Sequence, residues 1–380
     1  MPVSPPRIVA VAIVYGLQGL GYAVLVTALP LFQGRSGLDG TALSLILLGV
    51  CLTAAAGSIV ADAIARRAGS RLGVRVGLGV QALALVGAAL APDTIVFVAT
   101  VLLYGLGLGL IDAASNMQGV LVQRGRALPL LGRFYASYTV GAIVGALTMA
   151  AVIAAGIGGV TALIGAAALQ IGFILTGSRL LTPERAALPP RQGPRPRLDR
   201  RAITMAGLVV LAAFTIDSAV SSWSAVHLSA IGAAAALAPV GYAIYQAAVL
   251  GARLAFDPLA RRAGRARVLG GALAVGAAGG ILVAAVPLPA AAFAGFALSG
   301  LAVGVLVPLA FGMAGAIDPV RSDEVIARVN LFNYAGAVLG AVAVGVMLDV
   351  TGPGLAFLLP ALLLAVALPA LREARRTTAR

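Results

Sequence analysis

The sequence predicts an all-α membrane protein, with twelve transmembrane helices arranged as two parallel repeats of six. Three observations support this prediction: an apolar composition, a succession of long apolar segments and an internal repeat at one fixed offset. Hydrophobic residues make up 61% of the 380 positions and charged residues only 11%, whereas soluble globular domains contain about 25% charged residues. Mean hydropathy is +1.03. Water therefore cannot be the main solvent of this surface.

Apolar segments long enough to cross a bilayer follow one another along the chain, separated by turn residues and charges. About 20 apolar residues span the hydrocarbon core. On this basis helices 1 to 6 are predicted at 8–32, 41–65, 74–91, 94–120, 128–155 and 160–181, and helices 7 to 12 at 202–229, 235–260, 268–286, 290–316, 325–349 and 354–371. The predicted organisation is a six-helix bundle over 1–181, a basic linker over 182–201 and a second bundle over 202–380.

Arginines mark one side of the predicted membrane protein. They fall at alternate connections, at Arg7, Arg66, Arg67, Arg71, Arg75, Arg124, Arg126, Arg261, Arg262, Arg265, Arg267, Arg321 and Arg328. The opposite connections contain Arg35 alone, and the linker is rich in proline and arginine. Because basic loops stay on the cytoplasmic side, both termini are expected in the cytoplasm of a cell with an inner (plasma) membrane.

Composition also excludes several classes of function. The formal charge of +14 comes from short arginine clusters between apolar segments, so it indicates topology and lipid contact and not nucleic-acid binding. A phosphate-binding P-loop needs a lysine, and the chain has none. With one His and one Cys, no metal site or cofactor is predicted. The expected partners are a small-molecule solute, membrane lipids and protons, and the protein is expected to be a monomer.

An internal repeat divides the chain in two. The segment DAIARRAG at Asp62–Gly69 recurs as DPLARRAG at Asp257–Gly264, an offset of 195 residues from 62 to 257. The same offset pairs Arg133 with Arg328, Gly105 with Gly300, Gly109 with Gly304, Gly141 with Gly336 and Gly145 with Gly340. Two units of six helices enter the membrane in the same orientation because six is even. The repeat therefore favours a transporter over an enzyme or a receptor.

These loop motifs resemble those of the major facilitator superfamily, and the similarity covers essentially the whole chain. That family has G-x-L-x-D-R-x-G-R-R between helices 2 and 3 and a weaker copy between helices 8 and 9. Asp62, Arg66 and Arg67 match the motif here, whereas Ser58, Ala63 and Ala65 replace its first Gly, first Arg and inner Gly. The resemblance implies a solute site at the midplane between the halves and alternating access to it.

The resemblance further implies a gating role for the loop motifs. Asp62 would accept hydrogen bonds from the start of helix 11, and Asp257 by symmetry from the start of helix 5, since helix N-termini favour anions. Arg66, Arg67, Arg261 and Arg262 would form ion pairs that break as the halves move. Arg253 precedes Asp257 by four residues and is placed to pair with it on one helical face. The alternative is that these charges only determine topology.

Two acids lie well inside predicted helices, Asp112 on helix 4 and Asp217 on helix 7. A central Asp costs roughly 2.5–3.5 kcal/mol on insertion scales, and such residues normally face a cavity. Asp112 and Asn116 belong to a G-x-G-x-G-x-x-D-x-x-x-N pattern, similar to that of a bacterial subgroup of the superfamily. For Asp112 the alternatives are a structural salt bridge with Arg133 or proton or substrate coupling. Asp217 has no evident cation near it in sequence, which makes it the better proton carrier of the two.

Further polar residues are candidates to line a cavity, although packing explains any one of them equally well. The candidates are Tyr15, Gln18 and Tyr22 on helix 1, Asn116 on helix 4, Arg133 on helix 5, Tyr242, Tyr245 and Gln246 on helix 8, and Asn330 and Asn333 on helix 11. Trp223 and His227 are expected at headgroup level. Ser137, Gly141 and Gly145 form a small-xxx-small stripe for close helix packing.

The function predicted from these residues is secondary active transport of a small organic solute by alternating access, coupled to protons. A passive facilitator is the alternative within transport. An alternative from a different class of function is a non-transporting membrane sensor or accessory protein with the same fold. No nucleophile, base and metal constellation is present, so the protein is not predicted to be an enzyme.

Overall fold

The computed structural model describes residues 5–123, 130–183, 198–318 and 321–371. Arg124, Arg126 and most of the predicted linker lie outside the described residues. The described chain is all α-helical apart from connections and short 3₁₀ and π turns. The predicted fold class is confirmed.

Within the described residues, ten helices are long and apolar enough to cross a membrane, and two apolar helices are shorter. We number these twelve helices in chain order. They are α1 (Pro5–Thr27 continued by Leu29–Ser36), α2 (Gly40–Ala68), α3 (Ser70–Leu90), α4 (Thr94–Gln123), α5 (Leu131–Ala154), α6 (Val160–Thr176), α7 (Arg200–Ala230), α8 (Ala238–Ala263), α9 (Arg265–Ala285), α10 (Pro289–Ile317), α11 (Ser322–Val338 and Val344–Thr351, joined by the π-helical Leu339–Ala343) and α12 (Leu355–Leu371).

The ends of α2 and α8 show why the loop motif repeats. Each helix is followed by a glycine with positive φ, 85° at Gly69 and 81° at Gly264, combined with an extended ψ. This region of backbone space is essentially restricted to glycine. It allows the chain to turn directly into α3 and α9, whose first residues are Ser70 and Arg265. The final glycine of each motif copy is therefore required by the backbone.

Helix packing repeats at the same offset. A Cβ on Gly109 of α4 would collide with the backbone of Ala54 on α2. On the equivalent Gly304 of α10, a Cβ would lie 2.6 Å from the Val249 carbonyl oxygen of α8. Each glycine of the repeat and the residue that it contacts are thus both displaced by 195 positions. The two six-helix repeats share their helix-to-helix contacts as well as their sequence motif.

The packing of α5 on α1, and of α11 on α7, follows the same rule. A Cβ on Gly141 would collide with the Gly16 carbonyl, and one on Gly336 with the Leu211 carbonyl. Small residues allow helix backbones to approach closely in a membrane, where packing replaces the hydrophobic effect as the driving force. The predicted small-xxx-small stripe is confirmed.

The described residues fall into two compact units. The first contains α1 to α6 without the first turn of α2, and the second contains α7 to α12 together with Asp39–Ser44. In the second unit Asp349 caps that first turn, accepting hydrogen bonds from the backbone N–H of Gly40 at 2.9 Å and from Thr41 N–H and Oγ1 at 2.6 and 2.7 Å. These bonds satisfy N–H groups that a helix start leaves unpaired.

Trp223 and His227, which were expected at headgroup level, do not face the surface of the second unit. Both residues are fully buried in the second unit. Trp223 donates its indole N–H to the Ala341 carbonyl at 3.0 Å, and His227 Nδ1 lies 2.9 Å from the Pro353 carbonyl oxygen. Residues of α11 and of the connection before α12 therefore cover this end of α7, which its own sequence does not reveal.

Candidate functional site

The first unit contains a polar cluster where α1, α4 and α5 meet. Gln18 Nε2 donates to Asp112 Oδ1 at 3.2 Å. One turn further along α4, Asn116 Oδ1 accepts from the hydroxyls of Tyr15 at 2.7 Å and Tyr135 at 3.0 Å. The candidates Tyr15, Gln18, Asp112 and Asn116 thus form one hydrogen-bonded group, and Tyr135 is a member that the sequence did not suggest.

Asp112 is the charged member of this cluster, and it is exposed. Its side-chain partner is the neutral amide of Gln18, while its backbone carbonyl accepts from Ser115 Oγ and Asn116 Nδ2. An exposed carboxylate flanked by amides and hydroxyls has hydrogen-bonding groups available for a polar solute. The cluster is therefore suited to ligand binding as well as to proton exchange.

The salt bridge between Asp112 and Arg133, one of the two alternatives for this acid, is not formed, since the described residues contain no such ion pair. Asp112 lies 11 residues before the end of α4, and Arg133 lies two residues into α5. At 1.5 Å per residue, their backbones differ in depth by about 13 Å. Tyr135 points toward Asn116 instead, and Arg133, two positions away on a helix, faces elsewhere.

Arg133 lines a groove along the contact between α1 and α5. The groove is open and has a volume of about 470 Å³, and its other lining residues are Ile13, Gly16, Leu17, Leu20, Ala136, Ser137, Val140, Gly141 and Val144. Apart from Arg133 and Ser137 this lining is apolar. The structure thus separates Arg133 from the Asp112 cluster, with which the sequence reasoning had grouped it.

The second unit contains a second polar cluster, between α7 and α8. Tyr245 donates its hydroxyl hydrogen to Asp217 Oδ1 at 2.6 Å. One position further, Gln246 Nε2 donates to the Tyr242 hydroxyl at 2.7 Å. All three α8 residues are buried, so α8 presents a continuous polar face to α7 in an otherwise apolar bundle.

Asp217 has a cation near it in space, although none lies near it in sequence. Arg253, two turns beyond Tyr245 on α8, lies within electrostatic range of Asp217. Sequence proximity did not reveal this neighbour because the contact is between two helices. Asp217 thus has a guanidinium near it, and Asp112 is not paired with Arg133 among the described residues. Which of the two acids carries protons stays a prediction.

The remaining cavity candidates do not join either cluster through the hydrogen bonds described. Asn333 Nδ2 donates to Asn330 Oδ1 at 3.2 Å on α11, and half-buried Tyr22 on α1 lies within electrostatic range of Tyr104. Their predicted role in lining a cavity stays a prediction.

Comparison with known proteins decides the family. The Major Facilitator Superfamily model matches residues 11–287. The chain belongs to the major facilitator superfamily. Members of this superfamily are transporters and not enzymes, so the protein is a multi-pass membrane transporter, as predicted.

Individual relatives support the assignment to the superfamily over nearly the full length. An MFS-type transporter of Yersinia pestis is 27% identical over 94% of this chain and 92% of its own. Membrane protein MosC of Rhizobium meliloti is 23% identical over 92% and 86%. Among solved structures, a bacterial homologue of the human lysosomal transporter Spinster aligns with a TM-score of 0.76 at 14% identity over 98% of both chains. A POT family transporter in complex with a peptide conjugate aligns at 0.78 and 13% identity over 97% and 96%.

The first copy of the loop motif forms an ion pair within its own helix. Asp62 and Arg66 form an ion pair within the last turns of α2. Asp257, Arg261 and Arg262 are exposed at the end of α8. The expected gating partners of Asp62 and Asp257 lie on the other repeat, and the gating role stays a prediction.

Sequence reasoning missed a third polar group, buried inside the first unit. Gln170 on α6 donates its Nε2 to Gln81 Oε1 on α3 at 3.2 Å and to the Leu17 carbonyl at 3.5 Å. Tyr104 on α4 is close by, because a Cβ on Gly21 would lie 2.7 Å from Gln170 Nε2 and 3.4 Å from the Tyr104 hydroxyl. Glutamines in otherwise apolar helices were the available signal.

Proposed function

We propose that this superfamily member is a secondary active transporter, which moves a small organic solute across the inner membrane by alternating access and couples this movement to protons. One observation carries the proposal. Each repeat contains one acid well inside a span, and each of these two acids is hydrogen-bonded to a neutral group: Asp112 to Gln18 at 3.2 Å and Asp217 to Tyr245 at 2.6 Å.

A neutral hydrogen-bond partner suits a proton carrier. An Asp locked in an ion pair must remain charged, because its protonation would leave the partner cation unpaired. An Asp held by an amide tolerates both protonation states without that penalty. Asp112 fits this description better than Asp217, near which Arg253 lies. We therefore assign the principal coupling role to Asp112 and a supporting one to Asp217.

Two intramembrane acids also favour active transport over a non-transporting scaffold. Each costs roughly 2.5–3.5 kcal/mol on insertion scales, an expense without benefit to a sensor or accessory protein. The exposed position of Asp112 beside Asn116 and Tyr135 adds hydrogen-bonding groups for the solute. A passive facilitator would need such groups for binding but would not need them to exchange protons.

The loop motifs provide the gate in this proposal. Asp62 would bind the start of α11 and Asp257 the start of α5, where unpaired backbone N–H groups favour an anion. Arg66, Arg67, Arg261 and Arg262 would contribute ion pairs that exchange as the repeats move. With these arginines on the cytoplasmic side, both termini lie in the cytoplasm.

The test uses purified protein in proteoliposomes and a panel of labelled carboxylates, sugars and amines, with and without an imposed pH gradient. We expect at least one solute to accumulate only with the gradient. Asp112→Asn should abolish this accumulation while solute exchange continues. Asp93→Asn is the matched control, because Asp93 lies outside the predicted spans and caps the start of α4, a role that Asn also fulfils.

Other outcomes would each contradict a specific part of the proposal. Equal gradient-driven uptake by wild type, Asp112→Asn and Asp217→Asn would refute coupling through either acid. Uptake that never exceeds equilibration would indicate a passive facilitator. If no solute in the panel binds or moves, while a partner protein co-purifies, the sensor or accessory role would be favoured instead.

A further inference from the structure

The groove between α1 and α5 has the form of a binding site with two chemically different ends. Its floor lies where the two helices are closest, at Gly16 and Gly141. Ile13, Leu17 and Leu20 form one wall, and Ala136, Val140 and Val144 form the other. Val140 is 48% exposed within the groove, so the space above the glycines is accessible from outside the unit.

A cation lies at one end of this apolar groove. Arg133 is exposed, and its guanidinium makes no hydrogen bond or ion pair to any described residue. The nearby Ser137 hydroxyl already donates to the Arg133 carbonyl at 3.1 Å. Among the residues that the structure describes, no anion pairs with Arg133. The groove therefore presents a planar guanidinium suited to a carboxylate or phosphate.

The groove's dimensions indicate the shape of its ligand. Arg133 and Val144 are the outermost α5 residues of the lining, and 11 residues of helix extend about 16 Å. The volume of about 470 Å³ lies within the range of small-molecule pockets, about 300–1,000 Å³. An apolar groove of this length and volume, with a cation at one end, matches an anion that carries one extended hydrocarbon chain.

This groove is distinct from the Asp112 cluster. Successive residues of a helix are rotated by about 100°, so Gly16, Leu17 and Leu20 face away from Tyr15 and Gln18. The hydrogen bonds that organise Asp112 and Asn116 involve the opposite side of α1. A ligand in the groove would therefore occupy a second site, whose existence does not depend on proton coupling.

We propose that the groove binds a single-chain amphipathic anion, with its carboxylate or phosphate on Arg133 and its chain along the α1–α5 contact. Such a ligand complements both the charge and the apolar walls. A membrane phospholipid presents similar headgroup chemistry, but its two acyl chains need more room than the groove's volume of about 470 Å³ provides. The proposed occupant is therefore a single-chain species that enters the groove from the aqueous phase or the bilayer.

The test is equilibrium binding of radiolabelled dodecanoate to the protein in phosphatidylcholine nanodiscs, corrected with empty nanodiscs. Arg133→Gln should weaken binding at least tenfold, and Arg133→Lys should retain most of it. Val140→Trp should weaken binding to a similar degree by filling the groove. Matched controls are Arg201→Gln, an exposed arginine of α7, and Leu83→Trp, a residue of α3 that is 64% exposed. Both should bind as wild type does.

Competition completes the experiment. Dodecyl phosphate should displace dodecanoate, whereas dodecanol and dodecyltrimethylammonium should displace it at least tenfold less effectively. Unchanged binding by Arg133→Gln, or by Val140→Trp, would overturn the proposal. Loss of dodecanoate binding in nanodiscs that contain phosphatidylglycerol would also overturn it, by showing that a two-chain lipid occupies the groove. None of these outcomes depends on transport by Asp112 variants, so the two proposals fail independently.

Discussion

Gly304 of α10 offers a sharp test of the repeated helix contacts. A Cβ built there lies 2.6 Å from the Val249 carbonyl oxygen and 2.7 Å from the Ala252 Cβ of α8. Optimal separations between such atoms are about 3.5 Å. Gly304→Ala would therefore require α8 and α10 to move apart by nearly 1 Å along their contact. Because the carbonyl belongs to helix backbone, no side-chain rotation can relieve the collision.

The expected free-energy change is the sum of two opposing effects. Overpacking a well-packed contact costs about 1–3 kcal/mol, while replacing a helical glycine with alanine gains about 1 kcal/mol. Gly312→Ala in the same helix provides the control, since a Cβ there meets no atom within 4 Å. It should be neutral or stabilising by up to about 1 kcal/mol. The two variants should thus differ by about 1–3 kcal/mol.

Unfolding in mixed micelles with increasing dodecyl sulfate, followed by tryptophan fluorescence, measures this difference. The chain has a single tryptophan, Trp223, which is fully buried in the same unit as α8 and α10. The Gly304→Ala midpoint should lie clearly below that of Gly312→Ala. Coincident midpoints for the two variants would show that the α8–α10 contact is not as close as described, and would refute the argument from equivalent contacts.

Two further variants test other parts of the molecule. Gln170→Leu removes the side-chain donor to Gln81 Oε1 and to the Leu17 carbonyl, which should destabilise the protein by about 1–3 kcal/mol. In a thermal unfolding assay, adding Gln81→Leu should restore part of the lost stability. Further destabilisation by the second substitution would contradict this reasoning. Asp62→Asn should weaken the proposed gate and change labelling of single cysteines on the cytoplasmic side, whereas unchanged labelling and transport would reduce the motif to a topology signal.

The fold could be predicted from the sequence because the bilayer constrains the length and composition of each membrane-spanning segment. A span needs about 20 apolar residues, and a parallel duplication preserves its spacing, here 195 positions from Asp62 to Asp257. The stripe of Ser137, Gly141 and Gly145 predicted a close helix contact, and the contact of Gly141 with Gly16 confirms it. These properties are local or periodic, so they can be recognised in the sequence without knowing which helices are neighbours.

The candidate site was only partly predictable. Asp112 and Asn116 share a face of one helix, which periodicity reveals, and their polar neighbours Tyr15 and Gln18 were found as intramembrane polar residues. Tyr135 was missed because nothing in the surrounding sequence distinguishes it from a tyrosine that only packs against other side chains. The fourth helix of a bundle cannot be oriented against the first by periodicity alone.

The sequence by itself determined the membrane class, the repeat, the family motif and the two intramembrane acids, because each depends on composition or spacing. Only the tertiary structure decided their partners. It placed Arg253 near Asp217, separated Arg133 from Asp112 by depth, and buried His227 beneath the chain before α12. Electrostatic pairing depends on distances between side chains of different helices, and the spacing of residues along the sequence does not give these distances.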